Sequence, residues 1–174
     1  MLKSIKAGKK LRKISVVSVF LMMLTTQVAL ASYDTKYNDE FNTGMLDTMR
    51  WHWIRESPSN WSMTGTSFQM NVTNGTNIDD ATAPLLLQDI TDNNLSIITK
   101  LSAIPTTNYE GGGLIFYSDD NNFVDFEYYT ANGFKYLILK KEENNIPAYN
   151  TPVKITSYPI YLMLNKTGTS YTAF

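Results

Sequence analysis

The chain has 174 residues, 15 basic against 16 acidic, a single histidine and no cysteine. That inventory excludes cysteine nucleophiles and leaves a zinc or copper centre almost without ligands. Ser-His-Asp chemistry would depend on His52 alone, which sits between two tryptophans and reads as a packed or rim residue.

The first 13 residues carry six of the basic groups and no acid, and an apolar run to residue 31 closes on Ala29 and Ala31. A basic start, an apolar middle and an A-x-A ending describe a secretory signal peptide over residues 1–31, so the product is expected outside the cell. Polar Thr25, Thr26 and Gln27 interrupt the run and leave its apolar part short for a bilayer span. Residues 32–174 then form one domain with its own core, bearing 9 basic and 16 acidic groups, a net charge of −7. Such a surface repels phosphate backbones and anionic lipids, so neither nucleic acid nor, after cleavage, a membrane is an expected partner. Without disulfides, the exported domain depends on its core and on any ion it binds.

Beyond residue 35 no dozen residues keep an apolar period near 3.6. Strand-like runs follow one another instead: residues 50–56, 67–72, 84–89, 95–103, 113–118, 122–130, 134–142, 153–157 and 160–166. Turn formers separate them, including "TNGTN", "TDNN", "SDDNN", "TANG" and "KTGTS". This pattern predicts an all-β fold, an antiparallel two-sheet β-sandwich. Residues 113–141 read as a three-strand meander. Its middle strand turns Val124, Phe126 and Tyr128 to the core, and Asp125, Glu127 and Tyr129 to a polar face. Asn132-Gly133 suits a two-residue hairpin turn.

Four groups of residues carry chemistry. Trp51, Trp53 and Trp61, with Arg55, supply flat rings and a hydrogen-bonding fork for a sugar, or they are core. The glycines of "NYEGGG" let the backbone come close to a crossing strand or to a ligand, beside Tyr109 and Glu110. Asp125 and Glu127 share a strand face with Cβ atoms roughly 6–7 Å apart, which overlaps glycosidase carboxylate spacing. A solvated or sugar-contacting face is the better reading of that pair. Asp39, Glu40, Asp119 and Asp120 are possible calcium ligands, without a complete calcium-loop pattern. The five N-glycosylation sequons are what an Asn- and Thr-rich chain produces by chance.

The opening "YNDEFNTGMLDTMRWHWIRESPSNWSMTG", then "APLLLQDI", "TKLSAIPTTNYEGGGLIFYSDDNNFVDFEYY" and "YLMLNKTGTSYTAF", together resemble the concanavalin A-like domain at the C-terminus of family 43 β-xylosidases and arabinofuranosidases. The resemblance runs from about Asp39 to Phe174 and implies a jelly-roll-like sandwich. In those enzymes a five-bladed propeller supplies the catalytic carboxylates; here the leader runs almost directly into the sandwich. The family pattern continues past "SYTAF" with further strands, so the sandwich is expected to lack its last ones, leaving an edge open to pairing. Where this chain has Glu110 the family more often resembles a glutamine at that place. With the leader and the residue chemistry above, the resemblance points to a secreted, carbohydrate-binding accessory domain contacting xylan-like poly- or oligosaccharide without hydrolysis, with Trp51, Trp53, Arg55, Glu110, Tyr117, Asp125 and Glu127 as the expected contact residues. It requires no cofactor and no catalytic or metal residue. Two alternatives stand beside it: a hydrolase using Asp125 and Glu127, and a module that docks on a separate glycosidase chain.

Overall fold

A computed structural model describes residues 37–71, 76, 78–102, 107–156 and 159–174. The expected leader over residues 1–31 and most of the expected turn at 73–77 lie outside them. Twelve strands follow one another among the described residues: β1 (His52–Ile54), β2 (Trp61–Met63), β3 (Phe68–Met70), β4 (Leu85–Leu87), β5 (Asn94–Leu101), β6 (Gly111–Asp119), β7 (Asn122–Ala131), β8 (Phe134–Glu143), β9 (Ile146–Tyr149), β10 (Val153–Ile155), β11 (Ile160–Thr167) and β12 (Ser170–Ala173). One 3₁₀ turn, Pro58–Asn60, joins β1 to β2. All pairings are antiparallel.

The larger sheet runs β10-β8-β7-β6, with β9 flanking the far half of β8, and the second runs β12-β11-β5. Val124 and Phe126 of β7 pack with Leu162 and Leu164 of β11, and Ile97, Leu114, Phe116, Leu137, Leu139 and Tyr171 close around them. This is the two-sheet antiparallel sandwich that the strand pattern predicts, with the core on the face read as apolar.

Local chemistry sets the register. Asn132 (φ 51°) and Gly133 (φ 75°) form the two-residue turn between Ala131 and Phe134, where both central residues must adopt positive φ. Asn144 and Asn145 do the same between β8 and β9. Three strands escape the sequence pattern. β2 spans only three residues, Pro147 interrupts β9, and β12 is polar at alternate positions. The expected strand over residues 50–56 shortens to β1, because Arg55 takes φ 58°, outside any extended conformation.

The register lays four cross-strand rows on the outer face of the large sheet: Gly111–Tyr129–Tyr136–Lys154, Gly113–Glu127–Ile138, Ile115–Asp125–Lys140–Tyr149 and Tyr117–Phe123–Glu142–Pro147. Directly opposed residues share a face, so aromatic rings and charges are collected on one surface.

Candidate functional site

One end of that surface is closed. Phe123, Asp125, Lys140 and Glu142 are 3–5% exposed. The Lys140 ammonium donates to Asp79 from the 78–81 turn, lies 3.7 Å from Asp125 Oδ1, and sits 5.1 Å over the Phe123 ring. Burial pushes the Asp125 carboxyl up to about 7; Lys140 pulls it down, while Glu127 and Asp79 push it further up. Burial likewise raises Glu127. Lys140 loses hydration by burial, yet Asp125 and Asp79 carry its pKa above the ordinary value. Asp125 Oδ1 and Glu142 Oε1 are buried without a hydrogen-bond partner. The face expected to be solvated is therefore dry here: the only solvent-shielded cation among the described residues stands among carboxylates.

A second tie closes the same end. Arg55 Nε donates to the Ala83 carbonyl and Nη1 to Asp120 Oδ1, both at 2.8 Å, and the Tyr117 hydroxyl donates to that carboxylate oxygen at 2.7 Å. These bonds hold Asp120 below the usual carboxylate range, through Tyr117 first and Arg55 second. Burial, then the bond to Asp120, raises Tyr117. Arg55 and Tyr117 are thus brought together, as partners of Asp120 in a tie across the chain.

The other end is open. Tyr129 and Tyr136 are half-buried and stack at 5.5 Å with 24° between their planes. Phe134 is 48% exposed, and Lys154 Nζ lies 3.2 Å over its ring. Glu127 stands one row inward, beside exposed Gly113. An ideal Cβ on Gly111 would fall 2.1 Å from the Tyr128 carbonyl oxygen, and one on Gly113 2.0 Å from that of Phe126. Of the two close approaches these glycines allowed, a strand or a ligand, the one seen is to the neighbouring strand, and it leaves β6 without side chains in the Tyr129 and Glu127 rows.

The tryptophans lie elsewhere. Trp51 packs on Phe41, Trp53 on Trp61 and Phe68, and Phe41 on Phe68, all with ring centroids 5.3–6.0 Å apart. Trp51 Nε1 donates to Asp39 and Trp61 Nε1 to Glu56. They form a half-buried aromatic cluster. Glu110 folds back on its own turn, accepting from the Thr107 amide at 3.0 Å. The four carboxylates considered for calcium are also dispersed: Asp39 bonds Trp51 and Arg50, Glu40 accepts from Asn38, Asp119 accepts from Asn121 and Asn122, and Asp120 is in the tie. Among the described residues no three His, Asp or Glu side chains converge on a metal position. Of the residues named from sequence, Asp125, Glu127 and Tyr117 share the outer face, and Arg55, just after β1, bonds the Asp120 that Tyr117 also bonds. Sequence reasoning missed Lys140, Asp79, Tyr136, Phe134 and Lys154. For those on β8 the signal was present: the Asn-Gly turn fixes which residues oppose Asp125 and Tyr129.

The family model described as the β-xylosidase C-terminal concanavalin A-like domain matches residues 38–174. Among solved structures, a mutant of the GH43 protein BlXynB from Bacillus licheniformis is similar with a TM-score of 0.72 at 17% identity, over 81% of this chain and 28% of that one. The chain therefore spans little more than a quarter of that protein's length, and at this identity the likeness speaks to fold. No curated protein sequence matches the chain.

Proposed function

Because the chain belongs to the family of β-xylosidase C-terminal concanavalin A-like domains, we propose that it is a secreted carbohydrate-binding accessory domain that holds xylan-like poly- or oligosaccharide without hydrolysing it. The observation that carries this reading is the open end of the outer face. Tyr129 and Tyr136 stack one row from Glu127, with Phe134 one row beyond them, on a face whose β6 positions in these rows are Gly111 and Gly113. Flat rings match the C–H faces of sugars, and a carboxyl group bonds hydroxyls. The surface is open, so affinity is modest.

Hydrolysis needs two carboxyls that reach the glycosidic bond from a shared cleft. Burial raises the Asp125 carboxyl to about 7, toward the range of a general acid, but it is 5% exposed beside Lys140. That burial supports a structural role. Affinity electrophoresis of the exported protein through gels containing soluble xylan or arabinoxylan, with product analysis, tests the reading. Retardation without released sugar is expected; free migration in every glycan, by folded protein, overturns it.

A second reading has its own support. The outer face of the β12-β11-β5 sheet exposes Ile98 and Tyr161, suited to docking on a separate glycosidase chain. Co-purification with such an enzyme, lost in Tyr161→Asp, is its signature.

A further inference from the structure

The open end has a direction as well as a chemistry. Its row Gly111–Tyr129–Tyr136–Lys154 crosses four strands at right angles to the chain. With neighbouring strands about 4.8 Å apart, the row is roughly 14 Å long, close to the length of three linked pyranose rings. Both of its ends are sheet edges, since β6 and β10 close the path of the large sheet among the described residues.

Among the described residues, neither end residue of the row stands as a wall across it. On β6 the row begins at Gly111, where the Tyr128 carbonyl excludes even a methyl group. The sheet itself thus enforces a bare edge. On β10 the row ends at Lys154, exposed and turned over Phe134 instead of across the row. Parallel to the strands the situation is the reverse. Two rows inward, Asp125 and Lys140 are buried, and the Asp79 and Arg55 ties stand beyond them. A chain laid along the strands would meet that closed end, whereas a chain laid across them passes over both edges.

We propose that this row is a through-groove that takes internal segments of a linear, uncharged glycan, about three sugar units at a time, and does not require a chain end. The inference rests on the carbohydrate-binding reading above and adds the orientation, the length and the indifference to termini. The two tyrosines contact the central units, and Glu127 accepts hydroxyl hydrogen bonds from the side of the closed end.

The test is titration calorimetry of the full chain with β-1,4-xylo-oligosaccharides of increasing length, each also reduced at its terminal sugar to the alditol. Affinity is expected to rise about 100-fold from monomer to trimer and to change less than about threefold beyond. End reduction of the longer oligomers leaves it unchanged, and the number of protein molecules bound per xylan chain grows with chain length. Tyr136→Ala lowers trimer affinity tenfold or more, while Tyr149→Ala, exposed on the same face but in the row of Asp125 and Lys140, leaves it as it was. Circular dichroism confirms that both variants are folded. Monomer binding as tight as trimer, loss of binding on end reduction, or one protein per polymer chain at every length would overturn the groove and leave carbohydrate binding standing. Binding of none of these sugars overturns both.

Discussion

The two ends of the large sheet's outer face are built from the same alternation and come to opposite states. At one end Asp125, Lys140 and Glu142 are nearly inaccessible, and contacts spanning 61 and 65 positions tie them to the N-terminal segment through Asp79–Lys140 and Arg55–Asp120. At the other, Tyr129 and Tyr136 remain half-buried, with Phe134 and Gly113 exposed. Both ends place polar groups beside rings. What separates them is whether a distant loop comes back to satisfy those groups. Charged groups shielded from water need partners, and at the closed end Asp125 stands beside Lys140, while Glu127 stands one row from the rings of the open end.

The sharpest break in that comparison is Lys140→Met. It removes the cation from between Asp125, Asp79 and Glu127 and is expected to cost about 3–5 kcal/mol in denaturant unfolding at neutral pH. An unchanged midpoint would mean that the closed end is not held by charge.

Next comes pH. The Asp125 carboxyl is raised from 3.8 to about 7 in the folded protein. Between those values the native state binds the proton and the unfolded state does not, so this group stabilises the fold at low pH and that contribution is lost as pH climbs through 7. The slope is about 1.4 kcal/mol per pH unit at most, with little further change above the window. Asp125→Asn cannot ionise and is expected to match the parent near pH 4, exceed it at pH 8 and lose this part of the slope. A parent and variant with parallel stability profiles would assign the titration elsewhere.

Gly113→Ala tests the bare edge of the open end. Its Cβ would sit against the Phe126 carbonyl, so β6 must shift, at about 3 kcal/mol, visible as a lowered melting temperature. The smallest expected effect on stability comes from Tyr136→Ala. It deletes a half-buried ring, costing about 1 kcal/mol of stability, and its main consequence is read in glycan binding. If Lys140→Met and Tyr136→Ala weakened binding equally, the division of the face into a structural end and a ligand end would fall.

Legibility followed the range of the interactions. The alternation of β7 predicted that Val124 and Phe126 face the core, and Asn132-Gly133 announced the hairpin that pairs β7 with β8. The same alternation placed Asp125 and Glu127 outward, which is correct for direction. It is silent on exposure, because burial of that end depends on Asp79, 61 positions from Lys140. For the tryptophans the sequence left core and platform both open, for a related reason. Strand parity put Trp51 and Trp53 on one face, but the strand starts at His52, and Trp51 is held on Phe41 and Asp39 instead. In the three-glycine tract, composition showed that the backbone needs space and left open what fills it. The Tyr128 and Phe126 carbonyls do.

By itself, then, the sequence determined the class of fold, the order of the long strands, the turn that sets the central register and the family signature, since each depends on neighbours in the chain. Only the tertiary structure decided which polar groups stay wet. Arg55, Tyr117 and Asp120 converge across the chain, Lys140 meets Asp79 and Asp125, and Tyr129 and Tyr136 are left in the open. Solvent access is a property of surfaces brought together from distant segments, and no local pattern of residues encodes it.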